Sequence, residues 1–489
     1  MKISSELKII NKKVSKLLLI LFILSIILIP FDNLPYLKSV FGELSFKASI
    51  YPIIMIILIL FVVLIKNKQL YFNKSKELYL LLIFIGWNIL SIIVNLNSIL
   101  ENNFKDRSGI SKLLLQIMVL GFGILIFYSS DIIVSLKKLT LYDFRKCVLF
   151  SIIPVAMYGT IELLHLSKII NFSWIIENVS YLIQTYHRGE VYTKGIRTVT
   201  GEASYFAMYI AFVFPWIISY IFTEKEKIKK YLYSILSLYI LMLLIFSKSR
   251  TAYGILFIQI MIFTVFILTS KVSKLHKITV LKAIGICMIL FVLVNSTTLS
   301  KIGGDRNSVP KISISSLVTS LTDTNNMSNV ARFGMQSAAI KMGSNNILFG
   351  VGLGQYGFNI NDYISKKALT SDEVKRWTNP TGNYEYWPPT FSLYSRIVAE
   401  QGGVGILLWM SFILYVLIKS IIVHRKTEDD ILGISLIVSY IGLLLAWMNA
   451  DSFVQIAFWM LLPFIIRYNN EKIGNESCDK IEVSLNKKL

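Results

Sequence analysis

Apolar runs long enough to cross a bilayer recur from one end of the chain to the other, and this constrains its fold more than any other feature. About twelve can be read: 15–31, 49–65, 78–96, 112–129, 146–165, 202–222, 231–247, 251–269, 280–296, 391–422, 432–449 and 453–467. A helix of about 20 apolar residues spans the hydrocarbon. The first turns of 391–422 read as partly interfacial. Soluble domains do not carry so many uncharged runs, so the reading is an all-α polytopic membrane protein of about 12 transmembrane helices. The N-terminal lysines followed by the run Leu17 to Ile29 resemble a signal peptide, but no A-x-A-like cleavage site follows. We read a retained first helix.

The net charge of +21 raises the question of nucleic acid, and its distribution argues against it. The charge sits mainly in short loops between spans. If the loops alternate sides, one side takes 29 Lys and Arg against 13 Asp and Glu, and the other 21 against 16. The more basic side is expected to be cytoplasmic, with both termini. Cys147, Cys287 and Cys478 are scattered, which gives neither a disulfide framework nor a metal cluster.

One long polar stretch interrupts the apolar pattern. The expected division is residues 1–296 for spans one to nine, 297–390 for a large outer loop, 391–467 for spans ten to twelve, and 468–489 for a cytoplasmic tail. A loop of this length between helices is usually functional or disordered. This one contains NVARFGMQSAAIKMGSNNILFGVGLGQYGF, with apolar residues at helical spacing and Gly-rich turns, so it is expected to fold and to form half of an active site.

Three stretches carry arginine to the outer face: GIRTVTGEASYFAMY (Arg197), FSKSRTAYG (Lys248, Arg250) and NVARFGMQ (Arg332). Spans six, eight and ten start outside, so their N-termini, with unpaired N–H groups and the positive dipole end, suit an anion there. Arginine's planar fork matches phosphate oxygens. Two helix ends with Arg332 would make a site for a lipid-linked diphosphate. A single interfacial Arg is ordinarily a snorkelling anchor. Arg250, however, lies in so short a link, beside Lys248, that two cations there call for an anion. Glu202 opens span six, either as a catalytic or substrate-orienting group or as a complement to the helix dipole. His187 is a solvated loop histidine or a substrate contact. Arg396 and Glu400 are one turn apart, an i,i+4 ion pair or cavity groups. Tyr384, Tyr386 and Trp387 suit sugar stacking or an interfacial belt. Walker and G-x-S-x-G motifs are absent, and no outer His/Asp cluster suggests a metal.

At these residues the chain resembles the O-antigen ligase/polymerase superfamily, the Wzy-type polysaccharide polymerases and their ligase relatives. FSKSRTAYG looks like the family's T-x-S-R-x-A element. NNILFGVGLGQYGF looks like N-P-L-x-G-x-G-x-G-x-F after an upstream arginine, here Arg332. TFSLYSRIVAEQGGVGILL looks like H-N-x-Y-L-x-x-x-A-E-x-G-x-x-G, and GEASYFAMY, with Tyr205, looks like the small-residue start of a central helix. The resemblance implies a GT-C-type membrane glycosyltransferase that needs no cofactor or metal. It would move glycan from undecaprenyl diphosphate to an acceptor hydroxyl at the outer face of a bacterial cytoplasmic membrane. Arg250 and Arg332 match the arginines thought to hold the donor diphosphate. Phe391-Ser392 stand where ligases have His-Asn, which weakens a ligase reading and leaves the base unassigned. The expected function is a polysaccharide polymerase joining lipid-linked repeat units, as in capsule or exopolysaccharide. Its partners would be that lipid-linked oligosaccharide, membrane lipids, a chain-length regulator and a flippase. The alternatives are a ligase-like transferase and a lipid-linked oligosaccharide flippase. The latter would want charge through mid-membrane and apparent repeats.

Overall fold

The computed structural model describes residues 11–37, 42–67, 75–272, 274, 276–278, 326–383, 386–428 and 430–486. Helices α1 (Lys12–Ile27), α2 (Ile50–Asn67), α3 (Lys76–Val94), α5 (Gly109–Lys137), α6 (Leu141–Leu166), α8 (Ala203–Thr223), α9 (Lys227–Phe246) and α10 (Arg250–Thr269) fall on the expected runs, while α4 (Leu96–Glu101) and α7 (Ser173–Ile183) lie in links read as loops. After the long loop come α14 (Leu393–Lys426), α15 (Ile431–Ala446) and α16 (Ile456–Asn486). The expected span 280–296, residues 297–325 and Tyr384 lie outside the described residues. Among the described residues seven helices are long and apolar enough to cross a membrane, and α2 and α15 are shorter apolar helices. The chain is an all-α polytopic membrane protein; among the described residues, strand is confined to the hairpin of β1 (Asn103–Phe104) and β2 (Arg107–Ser108).

The loops expected on opposite sides gather at opposite ends of the bundle. At one end Asn33 meets Gln184, Gln355 meets Gly109, and Thr251 meets Asn449. At the other, basic end Lys419 pairs with Glu77, Ser270 bonds His424, and Tyr468 donates to Asp430.

Helix α8 is the centre of the bundle. Of its apolar window 78% is buried, against 22–44% for the other candidate spans, so protein surrounds it where lipid surrounds them. It is held by polar clasps where a polar side chain in hydrocarbon would otherwise lack partners. Gln259 Nε2 on α10 donates to Ala211 O (2.7 Å) and Val438 O (3.0 Å), and Trp216 Nε1 donates to Ser439 Oγ (3.1 Å). Gly442 makes the first clasp possible, since a Cβ there would stand 2.2 Å from Gln259 Nε2.

The described part of the long loop is folded, with α11 (Met327–Asn345), α12 (Tyr356–Asn359) and α13 (Asp372–Thr378). Its small core packs Ala331, Met335, Ala338 and Met342 of α11 against Tyr356, Ile360, Val374 and Ala399. The Gly-rich motif after α11 then inserts into a break in α14. At 1.5 Å per residue this 34-residue helix is about 51 Å long, well beyond the hydrocarbon. It breaks at Gly402 (φ 73°, ψ −171°), which separates an outer segment from the span. The break frees backbone groups that the motif takes up. Val351 N donates to Ala399 O (3.0 Å), Gly352 N to Glu400 O (2.9 Å), and Gly403 N to Ile347 O (2.6 Å). A Cβ on Gly402 would lie 2.4 Å from Leu348 O, and one on Gly350 (φ +63°) 2.5 Å from the Glu400 carbonyl carbon. The two glycine-rich motifs are therefore one structural unit, two backbones crossing at a distance that side chains would prevent.

Candidate functional site

Two helix N-termini expected to serve an anion differ in what already occupies them. At α8, Asp32 Oδ1 accepts Gly201 N (2.7 Å), and Glu202 is the N-cap residue. The positive end of α8 is thus already complemented by two carboxylates. Burial pushes the Asp32 carboxyl up, while Lys47, whose Nζ is 3.8 Å from Oδ2, acts to lower it. At α10 there is no acid in the first turn, and N-cap Ser249 makes no side-chain capping bond. Half-buried Arg250 begins that helix, and exposed Lys248 precedes it in a left-handed conformation (φ +56°). Of the two ends, only that of α8 carries a carboxylate at its N-cap.

Arg197 departs from the expectation of a substrate-facing cation. It is fully buried. Its Nη1 donates to Tyr186 O (3.2 Å) and Gly201 O (3.4 Å), and its Nε is 4.0 Å from Glu162 Oε1 of α6. Only its Nη1 makes hydrogen bonds, Nε and Nη2 being buried without one, and burial acts to lower its pKa.

Residues 390–393 and the link between α15 and α16 form the floor that joins the other groups. Leu393 N donates to Trp447 O (3.0 Å) and Ala450 O (2.8 Å). Asp451 Oδ2 accepts from Thr390 N (2.7 Å) and Thr390 Oγ1 (3.2 Å). Arg396 Nη1 donates to Asp451 O (2.8 Å), and its Nε pairs with Glu400 at 3.2 Å. Both members of that i,i+4 pair are buried, so it is no surface pair. Thr251 Oγ1, next to Arg250, reaches Asn449 Oδ1 (3.4 Å) on one flank. On the other, the Arg332 guanidinium lies 5.5 Å over the ring of Phe391, which packs edge-on against Trp377. Tyr205 is within electrostatic reach of Glu202, Asp32 and Asp451, and Lys47 sits 5.2 Å over its ring. Arg396, paired with Glu400, thus contacts Asp451 directly, while Arg250 and Arg332 approach the same floor through their neighbours Thr251 and Phe391.

Two expected residues stand apart. His187 is an exposed loop residue, 3.3 Å from Glu190 and packed edge-on to Tyr192. Trp387 is half-buried between Phe104 and Phe358, with Lys112 Nζ 4.7 Å and Arg107 5.7 Å over its ring. Exposed Tyr386 passes its carbonyl to Lys105 Nζ (2.7 Å). Thr198, Lys248 and Phe391, all non-glycine, have φ of +57°, +56° and +55°. Such conformations are costly for bulky or β-branched residues and cluster where function requires them.

Sequence reading missed Asp32, Lys47, Glu162, Asn449 and Asp451. A signal was available for two of them. Asp451 is an acid in a link as tight as the one that drew attention to Arg250. Glu162 is an ionisable residue inside an apolar run, which is a functional hypothesis by default. Among the described residues no group of three or more His, Cys, Asp or Glu side chains is placed to hold a metal ion.

Residues 235–410 match the family model described as O-antigen ligase. The match supports the O-antigen ligase/polymerase superfamily and takes in Arg250, Arg332, Trp387, Arg396 and Glu400. No curated protein matches the chain.

Proposed function

We propose that this protein is a GT-C-type polysaccharide polymerase. It transfers glycan from an undecaprenyl-diphosphate-linked oligosaccharide to a hydroxyl of a second repeat unit at the outer face of the bacterial cytoplasmic membrane. The observation that supports this reading is that Thr251, next to Arg250, and Phe391, under Arg332, both meet the floor around Asp451, with no acid in the first turn of α10. The bond between the anomeric carbon and the phosphate oxygen breaks as the acceptor oxygen attacks. Its electron pair passes to the diphosphate, where the arginines and the helix end stabilise the developing charge. Asp451 takes the acceptor proton, since it is the carboxylate of the link that meets residues 390–393, next to the Phe391 over which Arg332 lies. Buried Arg396 and Glu400 fix the Asp451 backbone and shape the floor. The ring of Phe391, where ligases carry histidine, offers no base, which favours the polymerase over the ligase.

Purified protein, given an undecaprenyl-diphosphate-linked repeat unit in the presence of EDTA, is expected to produce chains longer than one unit. Absence of product, restored by one specific metal, would overturn the metal-independent mechanism. Transfer to an acceptor of another kind, with no chain growth, would show the ligase.

The orientation is tested by single cysteines in a background without Cys147, Cys287 and Cys478. Exposed Lys366 and Lys229 lie at opposite ends of the bundle. A membrane-impermeant maleimide is expected to label Lys366→Cys in intact cells and Lys229→Cys only after the membrane is opened. The reverse pattern would put the arginines on the cytoplasmic side.

A further inference from the structure

The buried pair of Glu162 and Arg197 has no part in the chemistry above, yet its loop meets the turn before Arg250. Glu162 Oε2 accepts the backbone N–H of Thr198 (2.7 Å) and of Arg197 (3.2 Å). Thr198 is β-branched, fully buried and left-handed (φ +57°). A β-branched residue there is an outlier that persists only where its surroundings hold it. The two N–H bonds to Glu162 are what hold it. The same loop then meets the turn that presents Arg250. Ile196 N donates to Phe246 O (3.1 Å), and Gly195 packs so closely that a Cβ would lie 2.5 Å from Ser247 O.

We infer that Glu162 is a positioning residue for the donor site: it holds the strained Thr198 turn, and that turn seats residues 246–248 and with them Arg250. The inference rests on the proposed reading of Arg250 as a diphosphate contact. Glu162 acts through the backbone and does not touch the lipid, and Arg197 Nε stands 4.0 Å from its other carboxyl oxygen.

The test is binding of undecaprenyl diphosphate to the full chain in detergent, with variants matched for monodispersity. Glu162→Gln keeps the shape of the side chain and loses its charge. Loss of charge-assisted hydrogen bonds of this kind is expected to weaken binding about tenfold. If Glu162 works through Arg250, Glu162→Gln combined with Arg250→Ala binds no more weakly than Arg250→Ala alone, because the second loss has already occurred. Glycine tolerates positive φ, so adding Thr198→Gly to Glu162→Gln is expected to recover most of the affinity. Multiplying losses in the first combination, or no recovery in the second, would overturn the inference. If Glu162→Gln does not survive extraction, Glu162→Asp, which retracts the carboxylate by one methylene, goes through the same two combinations. Failure of the underlying reading looks different: Arg250→Ala would then bind as the wild type does, and the inference would fall with it.

Discussion

Arg250→Ala is expected to lower polymer output by about 10²–10³, the usual effect of removing one preorganised donor to developing negative charge. The residue opens α10, where no first-turn acid offsets the helix dipole and where Lys248 adds a second cation. A lipid diphosphate must present its charge at this depth because its tail stays in the bilayer. Arg250→Lys is expected to recover only part of the activity, since a point charge replaces a bidentate fork. Insertion and protein level should not change, because the half-buried side chain is at the end of the bundle and outside the apolar core. The measurement is chain length on a gel from cells with matched protein. Single repeat units accumulating on the lipid carrier are the expected result. Full-length polymer from the Ala variant would refute the assignment, and loss of polymer together with protein would make Arg250 structural.

Asp451→Asn is expected to reduce turnover by about 10²–10⁴, the range for loss of a positioned proton acceptor. The Asn oxygen can still accept from Thr390 N, so the floor between residues 390–393 and 447–451 is kept. The effect should therefore appear in kcat, with the donor KM close to wild type, because the arginines that hold the diphosphate are untouched. Wild-type turnover in the Asn variant would remove Asp451 from the mechanism and leave Glu202, the exposed carboxylate at the start of α8, as the next group to test. The two substitutions differ in kind. Loss of Arg250 weakens the hold on the leaving group, whereas loss of Asp451 leaves the donor bound and stops the attack.

The spans could be read from the sequence because their cause is local. A run of apolar side chains of bilayer length needs no distant partner to become a helix in lipid. Several observed helices therefore begin and end close to the expected positions, as 251–269 became Arg250–Thr269 and 202–222 became Ala203–Thr223, whereas 112–129 became Gly109–Lys137 and 453–467 became Ile456–Asn486. The expectation that the long loop folds was legible for the same reason, from helical spacing in Met327–Asn345. Arg250 stood out because the brevity of its link fixes its depth without any knowledge of packing. What the sequence could not decide was which polar groups share a space. Arg197 and Arg250 look alike in a string of letters, each beside the start of an outward helix. Only the fold turns Arg197 inward onto Glu162, some 35 residues earlier, and leaves Arg250 at the rim. Likewise Asp32 arrives at the α8 N-terminus from 169 positions away, and Asp451 meets Thr390 from 61. Hydropathy depends on neighbours along the chain, so sequence sets it. The sharing of carboxylates between helix ends depends on which helices pack together, and that is decided by side-chain fit across the bundle.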